Sequence, residues 1–339
     1  MDHRNRSQKY NLAVKLIKAY ISPSAFMVRF IPTSKCNLKC SYCWQNNSSA
    51  KEMSKENFEK YINKAVKLGA GMIDFMGGEP LIWPHIYDGI KMCNTNNLLT
   101  NITTNGTLLT KENLDNLHKS GLNYLNISID NVDRNSVSKK TLDDLPYLVD
   151  SLHYAKNNTS IIIRVNSVLT KNNFEGTRKL IEVMHNAQIP LSLGFAIPHP
   201  GSNNENDIFF SIKDKPVLDE IIKTVINKKR NGYNIIEPES YFVNVYKYLK
   251  KEKFWECNYP GRFGWINITP DGRIRTCTKM MKDLDMNFEE LDREMLKKLR
   301  KILKQETSHC NINCYSNCAY TSWYYKNHKL EFIKSWIIK

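Results

Sequence analysis

The sequence predicts an α/β protein of parallel strands, about six βα units long, followed by a smaller cysteine-bearing region. Three observations predict it. Short apolar, β-branched runs alternate with amphipathic stretches between residues 26 and 196, the pattern of strands buried on both faces with helices between them. Three of the helical stretches open with nearly the same phrase, so one structural unit recurs. Eight of the nine cysteines fall into an early group and a late one.

Strands are expected at 26–32, 72–76, 99–104, 124–129, 161–168 and 191–196. The stretch after the first carries Phe58, Ile62, Ala65 and Val66 at helical spacing. Ser54, Thr110 and Thr170 each offer a hydroxyl N-cap, with Phe58, Leu114 and Phe174 four positions on. Met53, Leu109 and Leu169 precede the caps and suit hydrophobic staples. Repeated strand-then-capped-helix units imply right-handed crossovers between parallel strands. An incomplete βα barrel and a doubly wound open sheet both satisfy this, and periodicity does not separate them. A polar linker at 201–206 leads to helices at 214–230 and 239–252. Two short strands then flank Pro270-Asp271-Gly272 as a hairpin, and a charged helix at 289–304 precedes the last cysteines. The divisions are 1–25, an N-terminal helical extension; 26–200, the βα core; 201–256, linker helices; and 257–339, the late-cysteine region.

Composition narrows the classes. At 41% hydrophobic and 24% charged the 339-residue chain is ordinary globular material, large enough for about two domains. No run of about 18 apolar residues or signal-peptide h-region occurs, so cytoplasm is the expected location. Lys plus Arg outnumber Asp plus Glu by 49 to 34, formal charge +15. Such a balance suits phosphate-bearing partners, but there is no like-charge block, so a solvated basic surface is the plainer reading and nucleic acid is not the expected partner.

Cys36-Asn-Leu-Lys-Cys40-Ser-Tyr-Cys43 follows the first strand. Three thiolates on one tight loop can ligate three irons of a [4Fe–4S] cluster and leave the fourth open for chemistry. The competing assignments are a zinc site, which normally wants a fourth ligand nearby, and three unrelated core cysteines. Cys93 stands alone in a predicted helix and is read as a core residue.

The C-x₃-C-x₂-C spacing, with Tyr42 before the last cysteine, resembles the radical S-adenosylmethionine (radical SAM) superfamily. Gly77-Gly78-Glu79-Pro80 closes the second strand, Thr104-Asn105-Gly106 the third and Ser128-Ile-Asp130 the fourth, and Arg164 lies in the fifth; all have counterparts in that family. The resemblance implies a partial (βα)6 TIM-like barrel. It implies that Cys36, Cys40 and Cys43 hold a [4Fe–4S] cluster whose open iron is chelated by the amino and carboxylate groups of exchangeable SAM. One-electron reduction would give a 5′-deoxyadenosyl radical that removes a substrate hydrogen atom. Gly77 and Gly78 would let backbone approach the methionine amine, with Glu79 supporting that contact and Pro80 completing the motif. Tyr42 would pack near the adenine, Asn105 and Ser128 would bond the ribose or nearby atoms, and Arg164 would pair with the SAM carboxylate.

The late group, Cys257, Cys277, Cys310, Cys314 and Cys318, resembles the auxiliary-cluster region called SPASM or, when shorter, twitch. Five cysteines suit one auxiliary [4Fe–4S] cluster. Cys257 and Cys277 are the first ligands expected, then Cys318, with Cys310 or Cys314 as the fourth; a spare thiol could return a hydrogen atom to substrate. Zinc is the competing occupant. The resemblance implies an enzyme served by a flavodoxin- or ferredoxin-type electron donor and acting on a small polar molecule, a sugar or a ribosomal peptide. Two other readings stand beside it. Leu12, Ala13, Leu16, Ile17 and Tyr20, flanked by lysines, suit a helix lying on an anionic membrane or covering a barrel end, and a lipid- or RNA-modifying relative is the wider alternative. A non-catalytic zinc or Fe–S module binding nucleic acid is the alternative of another class; it leaves Gly77–Pro80 and the βα series unexplained. Tyr320, Trp323, Tyr324 and Tyr325 suit either a pocket wall or a core.

Overall fold

The computed structural model describes residue 14 and residues 27–43, 51–198, 208–257, 259, 265–277, 282–308, 314–329 and 331. The N-terminal amphipathic stretch, the 201–206 linker and Cys310 lie outside the described residues.

Six parallel strands, β1 (Met27–Phe30), β2 (Met72–Phe75), β3 (Leu99–Thr104), β4 (Tyr124–Ser128), β5 (Ile162–Leu169) and β6 (Leu191–Phe195), stand side by side in chain order. Each lies within two residues of its expected span. Between them run α1 (Lys55–Lys67), α2 (Ile86–Thr95), α3 (Lys111–Ser120), α4 (Leu148–Asn158) and α5 (Phe174–Asn186). A doubly wound sheet reverses its strand order at a switch point within the βα series; from β1 to β6 the order runs one way without reversal. Right-handed crossovers taken always in the same direction put every helix on one face, and consecutive helices α1 to α4 pack against one another. The result is a barrel-like wrap that does not close.

Alternation along the strands sorts the two faces. Val28, Phe30, Ile73, Phe75, Ile102, Leu125, Ile127, Ile163 and Val165 belong to the main core. The opposite face carries Arg29, Asp74, Asn101 and Asn126 in a hydrogen-bonded row: Arg29 Nε to Asp74 at 2.6 Å, Asn101 Nδ2 to Asp74 at 2.5 Å and Asn126 Nδ2 to Asn101 at 2.8 Å. Below that row, Met27, Met72, Leu99 and Tyr124 form a small apolar cluster of their own. This interior is polar in its middle and sealed at one end.

The Ser54 and Thr110 caps form as expected, each oxygen accepting from a backbone N–H three residues on. The third does not. Asn173 accepts from the Thr170 N–H at 2.8 Å and donates to Val168 O at 2.7 Å, an Asx-type turn that delays α5 to Phe174. Cys93 is fully buried in α2, and burial pushes its thiol up.

Beyond the core, α6 (Lys215–Arg230) matches expectation, whereas 239–252 forms two short helices, α7 (Glu239–Val243) and α8 (Val245–Leu249). The expected hairpin is β7 (Trp265–Ile268) and β8 (Arg273–Arg275), joined by β9 (Asp283–Asn287). It extends the core sheet: β7 pairs parallel with β1, and β8 and β9 continue it antiparallel. α9 (Arg293–Ser308) starts four residues later than expected, and α10 (Asn317–Asn327) ends the described fold apart from a few residues. Tyr320 is buried among Tyr241, Tyr315 and Trp323, so this part of the aromatic tail closes a core.

Candidate functional site

The cysteine loop leaves β1 and lies against the turn after β2. Gly78 N–H donates to Thr33 O at 3.1 Å and Glu79 N–H to Lys35 O at 2.8 Å. That approach needs glycine. A Cβ on Gly78 would lie 1.9 Å from Lys35 O, and one on Gly77, whose φ is +137°, would lie 2.6 Å from Thr33 O. The glycine pair is therefore the seat of the loop that carries the three thiols.

Loop contacts continue through the thiols themselves. Leu38 N–H reaches Cys36 Sγ at 3.5 Å, Asn105 Nδ2 reaches it at 3.8 Å, and Lys139 N–H reaches Cys40 Sγ at 3.5 Å. N–H donors on sulfur favour the thiolate. For Cys36 burial outweighs them and, with the nearby Glu79, holds the thiol above its ordinary value. Ser41 N–H and Oγ both donate to Val137 O, tying the loop to the segment after β4.

Cys36, Cys40 and Cys43 line one open cleft with Gly77, Gly78, Asn105 and Ser128. It sits where β1 to β4 end, at the C-terminal edge of the sheet, as barrel and open α/β sites do. Glu79, Pro80, Tyr42 and Arg164 do not line it. Glu79 is buried behind the wall, accepting from Thr104 Oγ1 at 2.8 Å, Asn105 N–H at 2.7 Å and Leu81 N–H at 3.0 Å. Burial raises its carboxyl to about 6, with those donors pulling the other way. Pro80 begins the 3-10 turn that Glu79 caps. Arg164 lies on the concave face of β5, in register with Asn126, while Ser128 is in register with Asn166. Its Nε is buried without a hydrogen-bond partner.

Two residues outside the expected set complete the wall. Asp130, fully buried, accepts from Tyr42 OH, from Ser138 Oγ at 2.5 Å and from Val168 N–H at 3.0 Å. Lys140 Nζ stands 3.3 Å from the same carboxylate and 5.0 Å from the centre of the Tyr42 ring, and Lys140 lines the cleft. Burial alone would lower the Lys140 amine; Asp130, Tyr42 and Cys40 together hold it well above an ordinary lysine. Asp130 was within sight, two residues after Ser128. Lys140 gave no signal, being one of 49 basic residues and made special only by folding.

The described late cysteines lie beside two buried tyrosines. Cys257 and Cys277 lie close enough to Tyr259 to act on its hydroxyl, and Cys314 and Cys318 do the same to Tyr241. Cys257 and Cys318 are exposed, and Cys277 and Cys314 are part-buried. Among the described residues no three His, Cys, Asp or Glu side chains are gathered as a single-ion site.

The early donor set fits a cluster with one open corner: three soft thiols facing one cleft, beside a Cβ-free wall and with space in front. Residues 30–209 match the family model described as the Radical SAM superfamily. A GTP 3',8-cyclase of Clostridium acetobutylicum is 26% identical over 318 residues, covering 84% of this chain and 92% of the relative. Streptococcus suis SuiB bound to precursor peptide SuiA superposes with a TM-score of 0.63 at 19% identity, over 87% of this chain and 69% of that one. A structure described as native anSMEcpe with bound AdoMet and Cp18Cys peptide gives 0.60 at 16% identity, over 92% and 99%. Among the described residues no helix is long and apolar enough to cross a membrane.

Proposed function

The chain belongs to the radical SAM superfamily, and from that premise we propose that it abstracts a hydrogen atom from a carbon of its substrate in the cleft at the C-terminal edge of β1 to β4. The carrying observation is that three thiols, the Gly77-Gly78 wall, Asn105 and Ser128 face one cavity. When bound there, a [4Fe–4S] cluster and SAM supply the electron and the 5′-deoxyadenosyl radical. Cys36, Cys40 and Cys43 hold the cluster. Gly77 and Gly78 present bare backbone to the methionine moiety, and Asn105 and Ser128 bond the ribose side. Glu79 acts from behind, fixing Thr104 and Asn105 at the end of β3. Tyr42, braced by Asp130, flanks the adenine.

In this reading Cys257, Cys277, Cys318 and either Cys310 or Cys314 carry one auxiliary [4Fe–4S] cluster, and a flavodoxin- or ferredoxin-type protein delivers electrons in the cytoplasm. The substrate is a small polar molecule or a peptide. The relative named for GTP chemistry makes a purine nucleotide the first candidate, and the peptide-bound neighbour makes a ribosomal peptide the second.

Oxygen-free reconstitution tests the core of the proposal. A brown chromophore that bleaches on reduction, with methionine and 5′-deoxyadenosine released together, is expected from the native chain and not from one with Cys36, Cys40 and Cys43 changed to Ala. Protein that takes up zinc in place of iron and leaves SAM intact refutes it. Deuterium carried from labelled GTP or labelled peptide into 5′-deoxyadenosine then identifies the substrate.

A further inference from the structure

The side chain of Asn105 makes all four of the hydrogen bonds open to a carboxamide, whose oxygen accepts twice and whose nitrogen donates twice. Its Oδ1 accepts from the Thr107 N–H at 3.0 Å and from Thr107 Oγ1 at 2.6 Å. Its Nδ2 donates to Asn37 Oδ1 at 2.8 Å and reaches Cys36 Sγ at 3.8 Å. Asn37 closes the circuit, its Nδ2 donating to Thr107 Oγ1 at 2.7 Å. Asn37, Asn105 and Thr107 thus form a ring of side chains beside Cys36.

One group fixes the direction of every bond in that ring. A backbone N–H can only donate, so the Thr107 N–H identifies the Asn105 oxygen. The Thr107 hydroxyl faces the same oxygen, must donate to it, and so accepts from Asn37. The Asn37 oxygen is then free to accept from Asn105 Nδ2, whose second N–H is aimed at sulfur. The backbone is pinned as well: the Asn105 N–H donates to the buried Glu79 at 2.7 Å, and Asn105 is itself buried. Leu38 and Lys139 reach Cys36 and Cys40 with backbone N–H groups, whereas Asn105 uses a side chain. At 3.8 Å its contact to sulfur is the longest of its four, so it depends on the ring for its aim.

Hydrogen bonds to the ligating sulfurs are among the features that set the potential of an iron–sulfur cluster, because a donor on sulfur favours the more negative, reduced state. We infer that Asn37, Asn105 and Thr107 are positioning residues: their ring aims an N–H at Cys36 Sγ and raises the reduction potential of the cluster held there. The inference rests on the radical SAM reading above. With its amide fully engaged, what Asn105 offers the ribose side is its backbone carbonyl.

An oxygen-free redox titration of the reconstituted protein without SAM, followed by electron paramagnetic resonance, tests this without turnover. The signal to follow is the one that added SAM alters. Asn105→Ala removes the donor, Thr107→Val removes the hydroxyl that sets its aim, and Thr107→Ser keeps that hydroxyl. With native iron loaded, Asn105→Ala should lower the potential. The ratio of reduced to oxidised cluster at a fixed potential should fall about three- to tenfold, tenfold being about 59 mV for one electron. Thr107→Val should move the potential the same way by less, and Thr107→Ser should match the native chain. An unchanged or raised potential in iron-loaded Asn105→Ala or Thr107→Val overturns the inference, as does an equal fall in Thr107→Val and Thr107→Ser. If Asn105→Ala and Thr107→Val both lose iron, the ring only holds the cysteine loop and the inference is overturned. A native chain that takes up no iron, or whose signal ignores SAM, refutes the functional reading instead.

Discussion

Glu79 keeps a carboxylate where no solvent reaches it, and three donors make that tolerable: the Thr104 hydroxyl and the backbone N–H groups of Asn105 and Leu81. Burial still wins, raising the group from 4.5 to about 6. That direction fixes the sign of the pH effect. Between 4.5 and 6 the folded chain binds more protons than the unfolded one, so the contribution of this group to stability falls as pH rises through that window. The shift corresponds to about 2 kcal/mol. In urea unfolding of the metal-free, reduced chain, the stability of native protein minus that of Glu79→Gln is expected to shrink by about this amount between pH 4.5 and 7; a difference that stays flat refutes the assignment. Glu79 was legible because it sits in a compact phrase, Gly77-Gly78-Glu79-Pro80. Lys140 and Asp130 were not read as a pair, because their meaning arises from contact with Tyr42, about 90 residues earlier.

At the scale of elements, the three similar helix openings separate cleanly. Ser54 and Thr110 cap α1 and α3 through their hydroxyls, and replacing either by Ala is expected to cost about 1 kcal/mol in urea unfolding. Thr170 is different: its backbone N–H is taken by Asn173, and its buried hydroxyl has no partner. Leaving a buried hydroxyl unsatisfied costs about 1–3 kcal/mol. Thr170→Val is therefore expected to stabilise the chain or leave it unchanged, where a true cap would weaken; a loss comparable to those at Ser54 and Thr110 would show that the hydroxyl is satisfied after all. The strands were readable to within two residues because their period and β-branching are local properties. The third cap was misread because Asn173 offers the backbone a competing local hydrogen bond that spacing does not reveal.

Across the whole molecule, the C-terminal region touches both ends of the six parallel strands. At one end β7 pairs with β1, and Phe288 packs edge-on to Phe30 and Tyr61. At the other, Asn317 at the start of α10 donates to Ser192 on β6 at 3.1 Å and to the buried Glu237 at 3.2 Å, and Glu237 itself accepts from Ser192 Oγ and the Leu193 N–H. The wrapped sheet is left open by its own strands, and the C-terminal elements span the opening. No local pattern could show this, since the hairpin signal at Pro270-Asp271-Gly272 says that two strands turn and not which edge they join. A chain ending at residue 256 would lose the β7 partner of β1, baring a parallel edge strand, and would uncover the side of the core now closed by Ile266, Ile268, Phe288, Leu296 and Leu299. Exposed edges and apolar faces of that kind recruit other chains. The truncated protein is expected to partition into the insoluble fraction, or to bind a hydrophobic dye and lose its cooperative unfolding transition. A soluble, cooperatively folding 1–256 fragment that still loads iron at Cys36, Cys40 and Cys43 would show instead that the core stands by itself and that the C-terminal region is an addition to it.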